Sequence, residues 1–245
     1  MFGGGMQVPV PPPELMQRVA GTDDPGWFDE SGRRSLADIR SVLAFSERDI
    51  SDAERVLDFG CGCGRVLRHL HREADAGTEI VGVDTDAEAI EWVRAHLPYV
   101  YASPIEPLPP LPFPDGHFDL VINHSVFSHL PEDYQDAWLT ELHRVARPGA
   151  WLELTVHGVH AFENLCHMLD ASGRDTAQMR REFAEQGFLY VRDESWEGTF
   201  PDYYQNAYHS PSYIFEHWGR TFDVKVLVAR GALDFQDIVL LRRAE

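Results

Sequence analysis

The sequence is short of cysteine, of long apolar runs and of basic charge, and each shortage excludes something. Cys61, Cys63 and Cys166 are the only three cysteines. That is too few for a disulfide scaffold, so a reducing, cytoplasmic setting is expected. No uninterrupted apolar stretch approaches the ~20 residues of a membrane-spanning helix. The start, Met1-Phe2-Gly3-Gly4-Gly5, has no basic segment followed by an apolar one, and no membrane partner is expected. Lys and Arg number 21 against 40 Asp and Glu, a balance of −19 with histidine neutral. A field of that sign repels phosphate backbones, so nucleic acid is not expected as a partner either. What remains is an ordinary globular composition, 44% hydrophobic and 25% charged over 245 residues, enough apolar mass for one substantial core.

Residues 1–13 are rich in glycine and proline and read as an arm. Short helices are expected over Glu14–Ala20 and over Ser35–Phe45, where Leu36, Ile39 and Leu43 share a face. From residue 55 short apolar runs alternate with helical patterns, the mark of a parallel sheet with crossover helices. Strands are expected at Arg55–Phe59, Glu79–Asp84, Tyr99–Ala102, Phe118–Asn123 and Trp151–Val156, with two closing strands at Asp223–Val228 and Asp237–Leu241. Between them, a helix starting at Pro131 should end before Pro148-Gly149, residues 160–187 read as helical, and 188–209 as irregular and aromatic. Ser210 caps a further helix with Pro211 in its first position.

The most informative segment is Asp58-Phe59-Gly60-Cys61-Gly62-Cys63-Gly64, with glycines at alternate positions between a strand and a helix. Glycine lets backbone N–H groups approach a ligand that a Cβ would push away. A dinucleotide fingerprint would need its third glycine where Arg65 stands, which weakens a nicotinamide-dependent oxidoreductase as the alternative reading. A noncatalytic cofactor-binding module is the other. Asp84 ends the second strand, where a carboxylate can accept both hydrogen bonds of a ribose diol. Cys61-x-Cys63 lacks a second pair, so no metal is expected.

Val56 to Gly64 resembles the first motif of class I S-adenosylmethionine-dependent methyltransferases. The resemblance continues in order through Val81-Gly82-Val83-Asp84, Leu111 to Ile122, and Ser125-Val126-Phe127-Ser128-His129-Leu130. It implies a Rossmann-like, doubly wound, mostly parallel α/β sheet of seven strands with helices on both faces. The implied domain runs over 49–245, after arm and lid helices in 1–48, with an aromatic substrate-binding insert at about 160–210. S-adenosylmethionine is the implied cofactor. Its site would draw on Asp58, Gly60, Cys61, Gly62, Gly64, Asp84, Thr85 and Asn123, with Ser103 and Ile105 near the adenine. His129 falls in a stretch the family commonly uses for packing.

An alcohol that accepts a methyl group must lose a proton, and a base of near-neutral pKa would serve. His124 follows the fourth strand, His157 the fifth, and His209 closes the aromatic segment; these three of the 12 histidines are the catalytic candidates. Residues 188–222 hold eleven of the chain's 28 aromatic residues. Tyr203, Tyr204 and Tyr208, outside any clear element, are the candidates for binding substrate. The expected function is O-methylation of a small hydroxylated acceptor, a sugar or secondary metabolite, by a monomer or homodimer.

Overall fold

The computed structural model describes residues 8–74, 77–197 and 200–245; the first seven residues of the Gly/Pro arm lie outside these. Helices α1 (Pro13–Ala20) and α2 (Pro25–Leu43) precede the sheet. The spacing had suggested only Ser35–Phe45 for the second. The longer helix starts where Asp24 accepts from the Gly26 N–H and Pro25 takes the first position. Arg68 donates to the carbonyls of Val8 and Pro9, pinning the end of the arm.

Strands β1 (Arg55–Phe59), β2 (Glu79–Asp84), β3 (Val100–Pro104), β4 (Phe118–Asn123) and β5 (Ala146–Val156) alternate with helices α3 (Leu67–Leu70), α4 (Ala87–His96) and α5 (Glu132–Val145). After β5 come α6 (Val159–Ala171), α7 (Ala177–Gln186), β6 (Phe188–Val191), β7 (Asn206–His209), α8 (Pro211–His217), β8 (Asp223–Ala232) and β9 (Gln236–Arg242). The seven-stranded sheet has the order β3-β2-β1-β4-β5-β9-β8, parallel except at β9.

Alternate residues of the central strands serve opposite faces. Leu57, Val81, Val121 and Leu152 pack against α5, α8 and Trp218. Val56, Ile80, Leu120, Ile122 and Leu240 pack against α2 and α4. Register aligns Asp58 with Ile122 and Ile122 with Glu153, so two carboxylates share the face covered by α2.

Three expectations need correction. Residues 160–187 are two helices, because Gly173 turns at φ +83° between α6 and α7. The stretch 188–209 is not simply irregular: β6 and β7 pair antiparallel, Phe188 opposite His209. Aromatic residues suit strands and the pairing needs only four residues a side, too few for a periodic signal. Pro131 is the cap of α5 rather than its first residue.

Candidate active site

Positive φ at two glycines shapes the turn after β1. Gly60 takes φ +82° and Gly62 +52°; a Cβ on the first would stand 2.2 Å from Val126, and on the second 2.5 Å from Val19. Both glycines, with Val126 and Val19 packed close against them, border a cavity of about 800 Å³ at the carboxyl edge of the sheet. Asp84 borders it, one oxygen accepting from the Gly62 N–H at 2.7 Å and the other from the Asp86 N–H at 2.8 Å. Burial raises its pKa, and the two amide donors oppose that shift.

Of the sequence candidates, Asp58, Gly60, Cys61, Gly62, Asp84, Thr85, Ile105, His124, Tyr203 and Tyr204 line this cavity. Gly64, Ser103, Asn123, Tyr208, His157 and His209 do not. Gly64 lies against Leu97 and Val93. Ser103 turns its hydroxyl onto the Pro104 carbonyl. Asn123 is fully buried and donates to the Phe59 carbonyl, tying β4 to the end of β1. Tyr208 stacks on His157, away from the cavity. His157 has a buried Nδ1 without a partner, and His209 bonds Gln135 at 2.9 Å. Burial lowers the pKa of both imidazoles, that of His209 to about 3.

Arg18, Arg65, Ser125, Trp196 and Phe200 line the cavity although they were not among the sequence candidates. Arg65 is 7% exposed and donates to Ser35 at 2.9 Å, across to α2. His124 Nε2 stands 3.2 Å from Glu153, a fully buried carboxylate on β5. Beside them Asp58 has its Oδ2 sealed from solvent with no protein partner. Burial pushes the Asp58 carboxyl up to about 7, with His124 and Arg65 pulling down and Asp84 and Glu153 pushing further up. Ser125 takes φ +62°, held by Thr155 at its N–H, Tyr204 at its carbonyl and Gln236 at its hydroxyl. His129, Trp196, Phe200, Tyr203 and Tyr204 line the same cavity as an aromatic wall. The end of α1, Gln17 to Gly21, overhangs the cavity, and Arg18 ion-pairs with Asp86 at 2.8 Å and Glu88 at 2.7 Å. Among the described residues no cluster of histidine, cysteine and carboxylates could hold a metal.

Residues 56–149 match the family model described as "Methyltransferase domain". The matched segment, which holds the glycine turn and Asp84, is thus similar to a methyltransferase domain. A fatty-acid O-methyltransferase of Mycolicibacterium smegmatis is 35% identical over 132 residues, 52% of this chain and 44% of that protein. An arsenite methyltransferase of Aquipseudomonas alcaligenes is 33% identical over 129 residues, 48% of this chain and 36% of that one. The chain thus spans less than half the length of those curated relatives. Among solved structures, a 1,6-didemethyltoxoflavin-N1-methyltransferase of Burkholderia thailandensis, with bound 1,6-didemethyltoxoflavin and S-adenosylhomocysteine, superposes with a TM-score of 0.58 at 13% identity. The match covers 100% of this chain and 99% of that one, a likeness of fold. S-adenosylmethionine, the cofactor that the resemblance implies, finds matching chemistry in the cavity: an orphaned buried carboxylate at Asp58 and the glycine turn at Gly60 and Gly62 both border it. No described helix of the chain is long and apolar enough to cross a membrane.

Proposed function

We propose that the protein transfers a methyl group from S-adenosylmethionine to a hydroxyl of a small acceptor, a sugar or related metabolite. One observation carries this reading: the glycine turn with Asp84 and the aromatic wall face a single cavity of about 800 Å³, room for cofactor and a small acceptor together. The cofactor supplies an activated methyl on a sulfonium. The chain's own task is alignment and exclusion of water.

In this reading Asp84 accepts the ribose hydroxyls, and the Gly60 and Gly62 backbone lies along the cofactor. Asp58 takes the amino-acid ammonium, with Arg65 facing its carboxylate, and Ile105 flanks the adenine. Tyr203, Tyr204, Trp196 and Phe200 present flat faces to a sugar or ring, and His124 closes the methionine end. Helices α1 and α2 serve as the lid over a domain of residues 49–245. The three buried cysteines are free thiols, in keeping with a cytoplasmic location, and the −19 balance favours a neutral or cationic acceptor over nucleic acid.

The direct test is incubation with isotopically labelled S-adenosylmethionine and a small-molecule extract of the source organism, read by mass spectrometry. A labelled O-methyl product of low mass is expected. Label on nitrogen or carbon, or on RNA, would overturn the proposal, as would tight NAD(H) binding with none of S-adenosylmethionine.

The Asp58 carboxyl gives a pH signature. It is protonated below about 7 and must ionise to hold an ammonium. S-adenosylmethionine affinity should therefore rise by up to about tenfold per unit as pH climbs from 5.5 to 7, then level off. Calorimetry across that range checks this, and Asp58→Asn should flatten the curve.

The Arg18 latch is partly exposed, so its removal costs at most about 1 kcal/mol. Arg18→Ala should speed cofactor release up to about fivefold in stopped-flow measurements, an effect that added salt imitates in the parent protein. Identical release rates would remove α1 from the role of lid.

A further inference from the structure

We propose that His129 is the group that takes the proton from the acceptor hydroxyl, its tautomer set by the Gln205 carbonyl. This rests on the methyl-transfer reading above and assigns the base to a residue outside the three histidines that the sequence suggested.

His129 is clamped at two points of the chain. Its carbonyl accepts from the Gln205 N–H at 2.9 Å, and its ring Nδ1 stands 3.0 Å from the Gln205 carbonyl. A carbonyl oxygen only accepts, so Nδ1 carries the proton and the lone pair of the neutral ring sits on Nε2. No described residue bonds that Nε2, and the residue lines the cavity. The ring is stacked on Tyr204 at 4.6 Å, tilted against Trp196 at 5.4 Å and met edge-on by His157 at 5.1 Å. It therefore lies within the wall that faces the acceptor.

The other histidines are placed differently. Gln135 spends its amide N–H groups on the carbonyls of Phe127 and Leu130, so its oxygen accepts from His209 Nε2; the remaining Nδ1 of His209 is sealed. His157 lies behind His129, outside the cavity lining. His124 stands at the Asp58 and Arg65 end, its Nε2 3.2 Å from Glu153.

The step balances. An oxygen lone pair of the hydroxyl forms the O–C bond to the methyl, the C–S pair stays on sulfur, and the O–H proton moves to Nε2. Positive charge passes from sulfonium to imidazolium, so the cavity's net charge is unchanged. Burial holds the His129 imidazole at about 4, with the Gln205 hydrogen bond pulling the other way; the ionisable groups packed on it are His157 and Tyr204. Such a weak base suffices because the hydroxyl becomes strongly acidic as its oxygen acquires the methyl. The ring also stays neutral, and so competent, throughout the physiological range.

Two measurements test this. In nitrogen-15 NMR of the histidine-labelled protein without cofactor, His129 should be the Nδ1-protonated neutral tautomer from pH 8 down to 5. An Nε2-protonated ring overturns the proposal. The variant His129→Asn keeps a donor for the Gln205 carbonyl and deletes Nε2. It should bind S-adenosylhomocysteine like the parent while transfer to the labelled acceptor falls at least a hundredfold. Transfer within threefold of the parent, or a comparable loss on His124→Asn with His129→Asn active, overturns it. A wild-type protein that labels no acceptor counts against the methyl-transfer reading, while the tautomer still judges His129.

Discussion

Asp84→Ala should weaken S-adenosylmethionine binding by hundreds-fold or more. Two hydrogen bonds to a charged acceptor contribute about 1.5–3 kcal/mol each, so removing both ribose contacts costs roughly 3–6 kcal/mol, about two to four decades in Kd. A second effect adds to this, because the carboxylate also holds the Gly62 and Asp86 N–H groups. Its loss releases the turn that the cofactor lies on. Asp84→Asn keeps an acceptor for Gly62 and should lose less. Titration calorimetry with a thermal melt alongside decides the matter: an alanine variant that is folded and binds normally would remove Asp84 from the site.

Gly32→Ala is expected to destabilise the whole protein, although alanine is the better helix former. Propensity favours alanine by about 1 kcal/mol in the interior of a helix. Against this, a Cβ at Gly32 would stand 2.1 Å from the Arg65 carbonyl oxygen and 3.0 Å from the His69 ring. The first obstacle is backbone, locked beside the glycine turn, and cannot swing aside as a side-chain tip can. Relief requires moving α2, whose Leu36, Ile39, Val42 and Leu43 are buried against the sheet. Contact with fixed backbone puts the cost at the upper end of the ~1–3 kcal/mol usual for overpacking, so after the propensity gain a net loss of about 2 kcal/mol is expected. For a chain of this size that is a melting temperature lower by about 6 °C. Scanning calorimetry reads it directly, and an unchanged or raised melting point would mean that α2 yields freely. Displacing α2 also separates Ser35 from Arg65, so cofactor affinity should fall with stability.

The two predictions draw on information of different reach. Asp84 and the alternate glycines were legible because their chemistry is local: a strand, a tight turn and a helix start within ten residues of one another, and each glycine is demanded by its own φ or its own neighbour. The same holds for the sheet, whose buried strands read as short apolar runs. Gly32 carried no such sign. It is one glycine in a helix until Arg65 is brought beneath it, 33 positions away in sequence.

The same reasoning divides the candidate site. Position at a strand's carboxyl end brought out His124, which lines the cavity, and His157, which does not, because strand position does not say which way a loop turns. Nothing local distinguished His129 from a packing residue. Its tautomer depends on the carbonyl of Gln205, 76 positions on, and its exposure depends on how the paired strands β6 and β7 carry the aromatic loop across the cavity. Glu153 and Asp58 likewise became neighbours of His124 and Arg65 only through sheet register. By itself the sequence determined the fold class and marked the glycine turn and Asp84 as candidates, since periodicity, turn chemistry and spacing are properties of adjacent residues. The tertiary structure alone decided which imidazole nitrogen faces the cavity and which carboxyl titrates near neutrality, since burial and partnership are set by residues distant in the chain.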